Sequence, residues 1–410
     1  RVSDAIYGTS DRYVSRNRLQ SMLDYEFNLI LERLNAVRGD KCNFFVFADT
    51  VATYSPSRQS GGNGWMGIRF QTACHSEPNE IIIHVRMLER VTAREQEALG
   101  IIGVNLIYGA FYFYKEPEIL IGSLLDNLTR DRVEVDMIKF SGPCFAGIDN
   151  RLMSMQLVQQ SLTDAAMFTA EGEVVQPSEV LWKRPVLVER GSFRPITNTT
   201  LDMLERAQEL FLEQPTVKGQ EPVILMEMTL RNLISEGSLD HKDFLARVDI
   251  LRALGKTVVI SNYARYYKLV AYLSLYTHEN IGIALGVPSL KEIFDEKFYT
   301  DLEGGLLEAL GRLFKSNVKF YVYPWRDPVT GKVTTAENVT VAPNLRHLYT
   351  HLLENKFVVS IEKHNVEYLP IFSRDVLARI QTYDPTWETM VPAPIVEIIK
   401  RDKLFGFREP

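Results

Sequence analysis

Cysteine is scarce. Cys42, Cys74 and Cys144 are odd in number and widely separated in a chain of 410 residues. That pattern fits a reducing, cytoplasmic setting better than a disulfide framework. Excess positive charge is also missing. Lys and Arg number 46 against 52 Asp and Glu, a net charge of −6, with a pI near 5.8. A nucleic-acid partner would favour a basic face, so none is expected. No apolar run reaches spanning length. The closest, "ALGIIGVNLIYGAFYFY" at 98–114, carries no charge. It falls short of the roughly 20 residues a bilayer requires and contains three glycines and Asn105. It reads as a buried helix or helix–strand pair, and no membrane partner is expected. No repeat, low-complexity tract or basic-then-apolar leader appears. The abrupt opening "RVSDAIYGTSDR" leads us to expect residues upstream of Arg1.

What is present is globular. Hydrophobic residues make up 46% and charged residues 24%, the balance of a packed domain. The length predicts two domains. We expect an α/β domain at 1–170, a linker at 171–185 and a second α/β domain at 186–410. In the first, helical spacing covers about 14–37, and "NFFVFADTVATY" reads as a buried strand. "SPSRQSGGNGWMG" reads as a polar loop, and its "GGNGW" portion (61–65) as a surface loop rather than a lid. "EIIIHVRML" is a strand, and the helix after it has Thr92 as a plausible cap. "RVEVDMIKF" alternates as a half-buried strand, and "SMQLVQQSLTDAAMF" is helical. From residue 186 five apolar strands alternate with helices, which predicts a doubly wound parallel sheet.

Few residue clusters invite chemistry. His347 and His351 sit four apart on a predicted helix. Without an HExxH pattern or a flanking carboxylate they read as a solvated face rather than a metal site. Cys74 and His75 read as a loop pair, and Cys144 as a small buried residue. The informative stretch is "LVERGSFRPITNTTLDMLERAQELF" at 187–211: a strand, a tight turn and an amphipathic helix. Gly191 permits a sharp backbone. A helix start near Asn198 to Thr200 would point free amides and the positive end of the helix dipole at an anion. Spacing alone favours a plain capped strand–turn–helix connection.

The residue order adds to this. "GSFRPITNTTLD" resembles GSFDPITNGHLD, the first signature of the nucleotidyltransferases with a (T/H)xGH motif. That group includes phosphopantetheine adenylyltransferase and the nicotinate/nicotinamide mononucleotide adenylyltransferases. Nine of twelve positions agree; Arg194, Thr199 and Thr200 depart. Near the other end, "IFSRDVLARI…MVPAPIVEIIKRDKLFG" resembles the mononucleotide enzymes' tail, with Ser373 matching and Arg374 and Leu377 departing from it. "DHKDFLARVDIL" is similar to their mononucleotide-contacting segment, aligning His241, Lys242 and Arg247. "IGIALGVPSL" is similar to a further strand, with Pro288 in place of an Asp. The resemblance covers about 186–406. Residues 1–170 do not share in it.

The resemblance implies a Rossmann-like nucleotidyltransferase fold. It implies nucleotide contacts from Gly191, Ser192, Phe193, Thr197, Asn198, Thr200, Ser373 and Arg374, and substrate contacts from His241, Lys242 and Arg247. In such enzymes the phosphate of a mononucleotide attacks ATP at its α-phosphate and pyrophosphate leaves; the protein supplies positioning and charge. The family's His falls at Thr200 and its phosphate-contacting Arg at Leu377. Losing one such donor costs on the order of a hundred- to a thousandfold in rate. We therefore expect a catalytically degenerate module that binds a nucleotide or self-assembles. One alternative is an active adenylyltransferase using ATP and Mg²⁺, with Arg374 or Arg379 substituting. Another is an enzyme whose active site lies in 1–170. The composition allows a homo-oligomer without requiring one.

Overall fold

The structure, a computed structural model, describes residues 2–55, 61–235, 238–315 and 317–408. The chain forms two compact units, one of residues 1–166 with 173–176, the other of 167–172 with 177–410. The segment expected as a linker is itself structured. It holds a two-residue strand at Val174–Val175 and a short helix at Pro177–Leu181.

The first unit is built on helix α1 (Arg16–Arg38), strands β1 (Phe45–Ala52), β2 (Asn63–Phe70) and β3 (Asn79–Met87), helix α2 (Thr92–Tyr112), strand β4 (Val133–Ser141) and helix α3 (Asn150–Gln159). Its four strands are antiparallel in the order β1-β2-β3-β4. One face carries the core: Met66, Ile68, Ile81, Ile83 and Phe140 pack with Ile102 and Leu106 of α2 and Leu157 of α3. On the other face Leu19 and Leu23 of α1 press onto Gly67, where a Cβ would come within 2.7 Å of Leu23.

That contact explains a correction. The expected polar loop runs into β2, where Gly64, Trp65 and Met66 are buried. Glycines that read as breakers are close-approach sites, Gly67 to α1 and Gly64 to Val51 of β1. Residues 56–60 of that loop lie outside the described residues. Other expectations shift for similar reasons. β4 is almost wholly buried rather than alternating, because both of its faces are covered. β1 is an edge strand with Phe45 and Asp49 exposed, not a buried one. The stretch 98–114 belongs largely to the single helix α2. Thr92 is its first residue, while the cap position is Val91, without a side-chain bond. The helix expected through 168 ends at Gln159, and Ala165–Phe168 forms strand β5. Among the described residues no helix is long and apolar enough to cross a membrane.

The second unit alternates strand and helix: β6 (Val186–Arg190), α4 (Asn198–Leu212), β7 (Val223–Thr229), α5 (His241–Ala253), β8 (Thr257–Ser261), α6 (Tyr266–Leu273), β9 (Ile281–Gly286), α7 (Val287–Ile293), α8 (Gly305–Leu313), β10 (Val318–Tyr323), α9 (Arg346–Glu354), β11 (Val358–Ser360), α10 (Ser373–Gln381) and α11 (Ala393–Asp402). The sheet order is β11-β10-β9-β6-β7-β8, with β5 beyond β8. The pairs from β8 to β11 are parallel, including all five expected strands. The sixth, β11, is three residues long, too short to show periodicity. The chain adds β7 and β8 on one side of β6, then returns to place β9, β10 and β11 on the other. The order therefore reverses beside β6, at whose carboxyl end a crevice is expected.

Candidate phosphate-binding turn

β6 ends at Arg190, and the turn of residues 191–197 leads into α4 at Asn198. The Gly191 N–H donates to the Glu227 carbonyl at 3.1 Å, docking the turn on β7. A Cβ on Gly191 would come within 2.6 Å of the Phe193 ring, so glycine is needed for that ring to fold back. Phe193 is 3% exposed and adopts a left-handed backbone, φ 47°, which costs a bulky residue roughly 1–3 kcal/mol. The Arg194–Pro195 peptide is cis. Thr197 caps α4: its Oγ1 accepts the Thr200 N–H at 3.3 Å and lies 3.2 Å from the Thr200 hydroxyl.

The structure brings the tail of the chain to this turn. Ser373 donates its hydroxyl to the Pro195 carbonyl at 2.8 Å. The Thr199 hydroxyl reaches the carbonyls of Tyr368 at 2.6 Å and Ile371 at 3.1 Å. Asn198 donates its backbone N–H to Met390 and its side-chain amide to Thr389, each at 3.0 Å. This qualifies the expectation of bare amides. The Asn198 and Thr200 amides are already engaged by protein acceptors.

The nearby cations are neutralised from within. Arg190 forks onto Glu227 at 2.7 and 2.8 Å and lies 4.4 Å over the Tyr266 ring. Buried Glu227 also accepts the Ser261 hydroxyl at 2.6 Å. Arg194 donates to Asp243 at 2.6 Å. Arg247 is 1% exposed, pairs with Asp243, and donates to the carbonyls of Asn232 at 2.7 Å and Ser192 at 3.2 Å. It holds the turn from below. His241 and Lys242 are exposed in the first turn of α5, which Asp240 caps. The three residues aligned as substrate contacts thus divide into one strut and two surface side chains.

Arg374 is exposed beside Ser373, 3.4 Å from Asp375 and over the Phe372 ring. Leu377 is half-buried. Arg379 is tied to Asp384 at 3.0 Å and to Thr386.

Two acidic residues were missed in the sequence. Asp202, which ends the first motif, accepts the Tyr323 hydroxyl at 2.6 Å and the Asn365 N–H at 2.9 Å. Burial, then this bond, push the Tyr323 phenol well above its ordinary range. Glu189 is buried, and its Oε2 has no hydrogen-bond partner among the described residues. Burial raises its carboxyl well above the usual range. Its place in an apolar strand was a usable signal; the partners of Asp202 were not legible.

Elsewhere, His347 and His351 are exposed on α9, and His351 Nδ1 lies 3.2 Å from the Asn355 side-chain amide. His75 contacts Asp40 at 2.7 Å beside exposed Cys74. Cys144 is exposed rather than buried, because its turn sits at the end of β4. Among the described residues no group of three or more His, Cys, Asp or Glu could hold a metal ion. Comparison with family models and with curated proteins finds no match to the chain.

Proposed function

We propose that the second unit is a Rossmann-like, nucleotidyltransferase-related module that holds a nucleotide through its phosphates at the turn of residues 191–200 and does not perform ordinary adenylyl transfer. One observation carries the reading. The GSFRPITNTT turn and the Ser373 segment meet beside the strand where the sheet order reverses, yet the arginines below are spent on Glu227 and Asp243. Phosphate retention asks only for oriented amides and hydroxyls; with the Asn198 and Thr200 backbone amides engaged, the hydroxyls of Ser192, Thr197 and Thr200 and the second side-chain N–H of Asn198 supply such groups. Transfer asks for charge aimed at the departing pyrophosphate. Thr200 offers a short neutral hydroxyl where the related enzymes have His, and Leu377 offers no donor. On this reading ATP or a nicotinate- or nicotinamide-type mononucleotide is the ligand class.

Calorimetry of the full chain with ATP and with nicotinate mononucleotide, with and without Mg²⁺, tests the reading beside a pyrophosphate-release assay. Binding without release is expected. Binding of neither ligand overturns the nucleotide site. Sustained release overturns the loss of transfer and favours the second reading, an active adenylyltransferase with Arg374 as the substitute cation. The exposure of Arg374 next to Ser373 favours that alternative, and Arg374→Ala would then abolish the release.

A further inference from the structure

We infer that the first unit binds a small organic cation, a guanidinium or primary ammonium on an alkyl stem, in a cavity between the end of α2 and the helix Pro117–Ser123. The cavity measures about 520 Å³, within the range of small-molecule sites. Phe113 and Ile119 supply its apolar wall. Glu118, Ser123, Asp126 and Gln160 supply its polar side chains.

Those side chains offer acceptors and no free donor. The Ser123 hydroxyl donates to the Leu120 carbonyl at 2.8 Å. The Gln160 side-chain amide donates to the Glu118 carbonyl at 3.0 Å and to Gln156 Oε1 at 3.1 Å, which uses both of its N–H groups. What remains is the Glu118 and Asp126 carboxylates and Gln160 Oε1, the last lying over Gly122. Neither carboxylate has a hydrogen-bond or ion-pair partner among the described residues. No Lys or Arg among them lines the cavity. Lys115, the cation nearest in sequence, sits over the Tyr114 ring at 5.6 Å. Two negative charges and no donors are complemented by a ligand that brings positive charge and N–H groups.

Aromatic rings beside the cavity point the same way. Asn105 of α2 donates its side-chain amide to the carbonyls of Leu124 at 3.0 Å and Asp126 at 2.8 Å, which holds that face of α2 against the cavity segment. Tyr108 and Tyr112 share the face by helical spacing. They stack at 4.4 Å, and Tyr108 meets Phe113 edge-on at 5.8 Å. Tyr112 is 69% exposed. Ring faces attract cations through their quadrupole. A guanidinium uses both features, its edge forking onto a carboxylate while its plane stacks on a ring. A metal ion would require more oxygen ligands and leave the apolar wall uncovered. A quaternary ammonium has no N–H for the acceptors.

Titration calorimetry of the full chain with butylguanidinium and with butylammonium tests the site. Saturable binding in the millimolar range or tighter is expected for at least one of them, with tetramethylammonium much weaker. Glu118→Gln with Asp126→Asn should weaken binding roughly tenfold or more, because charge-assisted hydrogen bonds are lost. Tyr112→Leu should weaken it by roughly two- to fivefold through the lost ring face. All three positions are exposed, so circular dichroism should not change. N-acetyl-arginine amide separates the two sources of the cation. Binding as tight as that of butylguanidinium supports a guanidinium presented on a peptide, and much weaker binding supports a free alkyl cation. Absence of heat with both alkyl cations overturns the inference. So does tetramethylammonium binding equally well, or affinity that survives the loss of both carboxylates.

Discussion

The Ser373 hydroxyl donates to the carbonyl oxygen of Pro195 at 2.8 Å, across 178 positions of sequence. This bond joins the cis-proline turn to the first residue of α10. With the Thr199 contacts to Tyr368 and Ile371, it makes the tail a wall of the turn. Ser373→Ala removes the donor from one carbonyl. It should cost about 1 kcal/mol, read as a lower urea midpoint with an unchanged slope. No change in midpoint would mean that turn and tail are not coupled in solution.

Arg247 and Lys242 should behave differently although both align with a substrate-contacting segment. Arg247→Ala leaves Asp243 without one of its two arginines and two carbonyls without a donor. Removing one partner of a buried pair costs roughly 3–5 kcal/mol. Lys242→Ala, at an exposed position, should stay within about 0.5 kcal/mol. Equal thermal midpoints for the two variants would contradict the strut assigned to Arg247.

If transfer was lost with the two clamp side chains, restoring them should recover some of it. Thr200→His combined with Leu377→Arg should raise pyrophosphate release from ATP and mononucleotide on the order of a hundredfold above background. Nucleotide affinity should change far less. The assay is single-turnover release with purified chain in excess; a flat response in a variant that still binds ATP would count against degeneracy by these two positions.

Glu189 makes stability depend on pH. Its folded carboxyl titrates well above the ordinary carboxyl value because burial disfavours the charge. A group raised in the folded state gives stability that is complete below its unfolded pKa and is lost as pH rises through the folded one. Glu189→Gln should therefore gain thermal midpoint relative to the unsubstituted chain as pH increases from about 4 toward alkaline values. Scanning calorimetry at several pH values checks this. Parallel midpoint curves for the two proteins would show that Glu189 does not carry the dependence.

Local pattern was enough for much of the second unit. The alternation from Val186 to Tyr323 was legible because parallel strands buried on both faces are continuous apolar runs with helices between them. The helix start at Asn198 was legible because Thr197 has the side chain a cap requires. The first unit was harder. Gly64 and Gly67 look like turn residues until Val51 of β1 crowds the first and α1 lies across the second. The strand at Ala165–Phe168 looks like the end of a helix until the chain turns after Gln159.

The amino-acid order by itself set the alternation of elements, the glycine-and-threonine turn after β6, and the uncharged residues Thr200 and Leu377. These are properties of neighbours along the chain. Only the tertiary structure decided that Ser373 and Met390 close that turn, that Arg247 is a buried strut, that Glu189 is buried with an unpartnered carboxylate oxygen, and that β1 is left at an edge. Charge pairing, desolvation and strand order depend on which distant segments meet, and no local spacing encodes them.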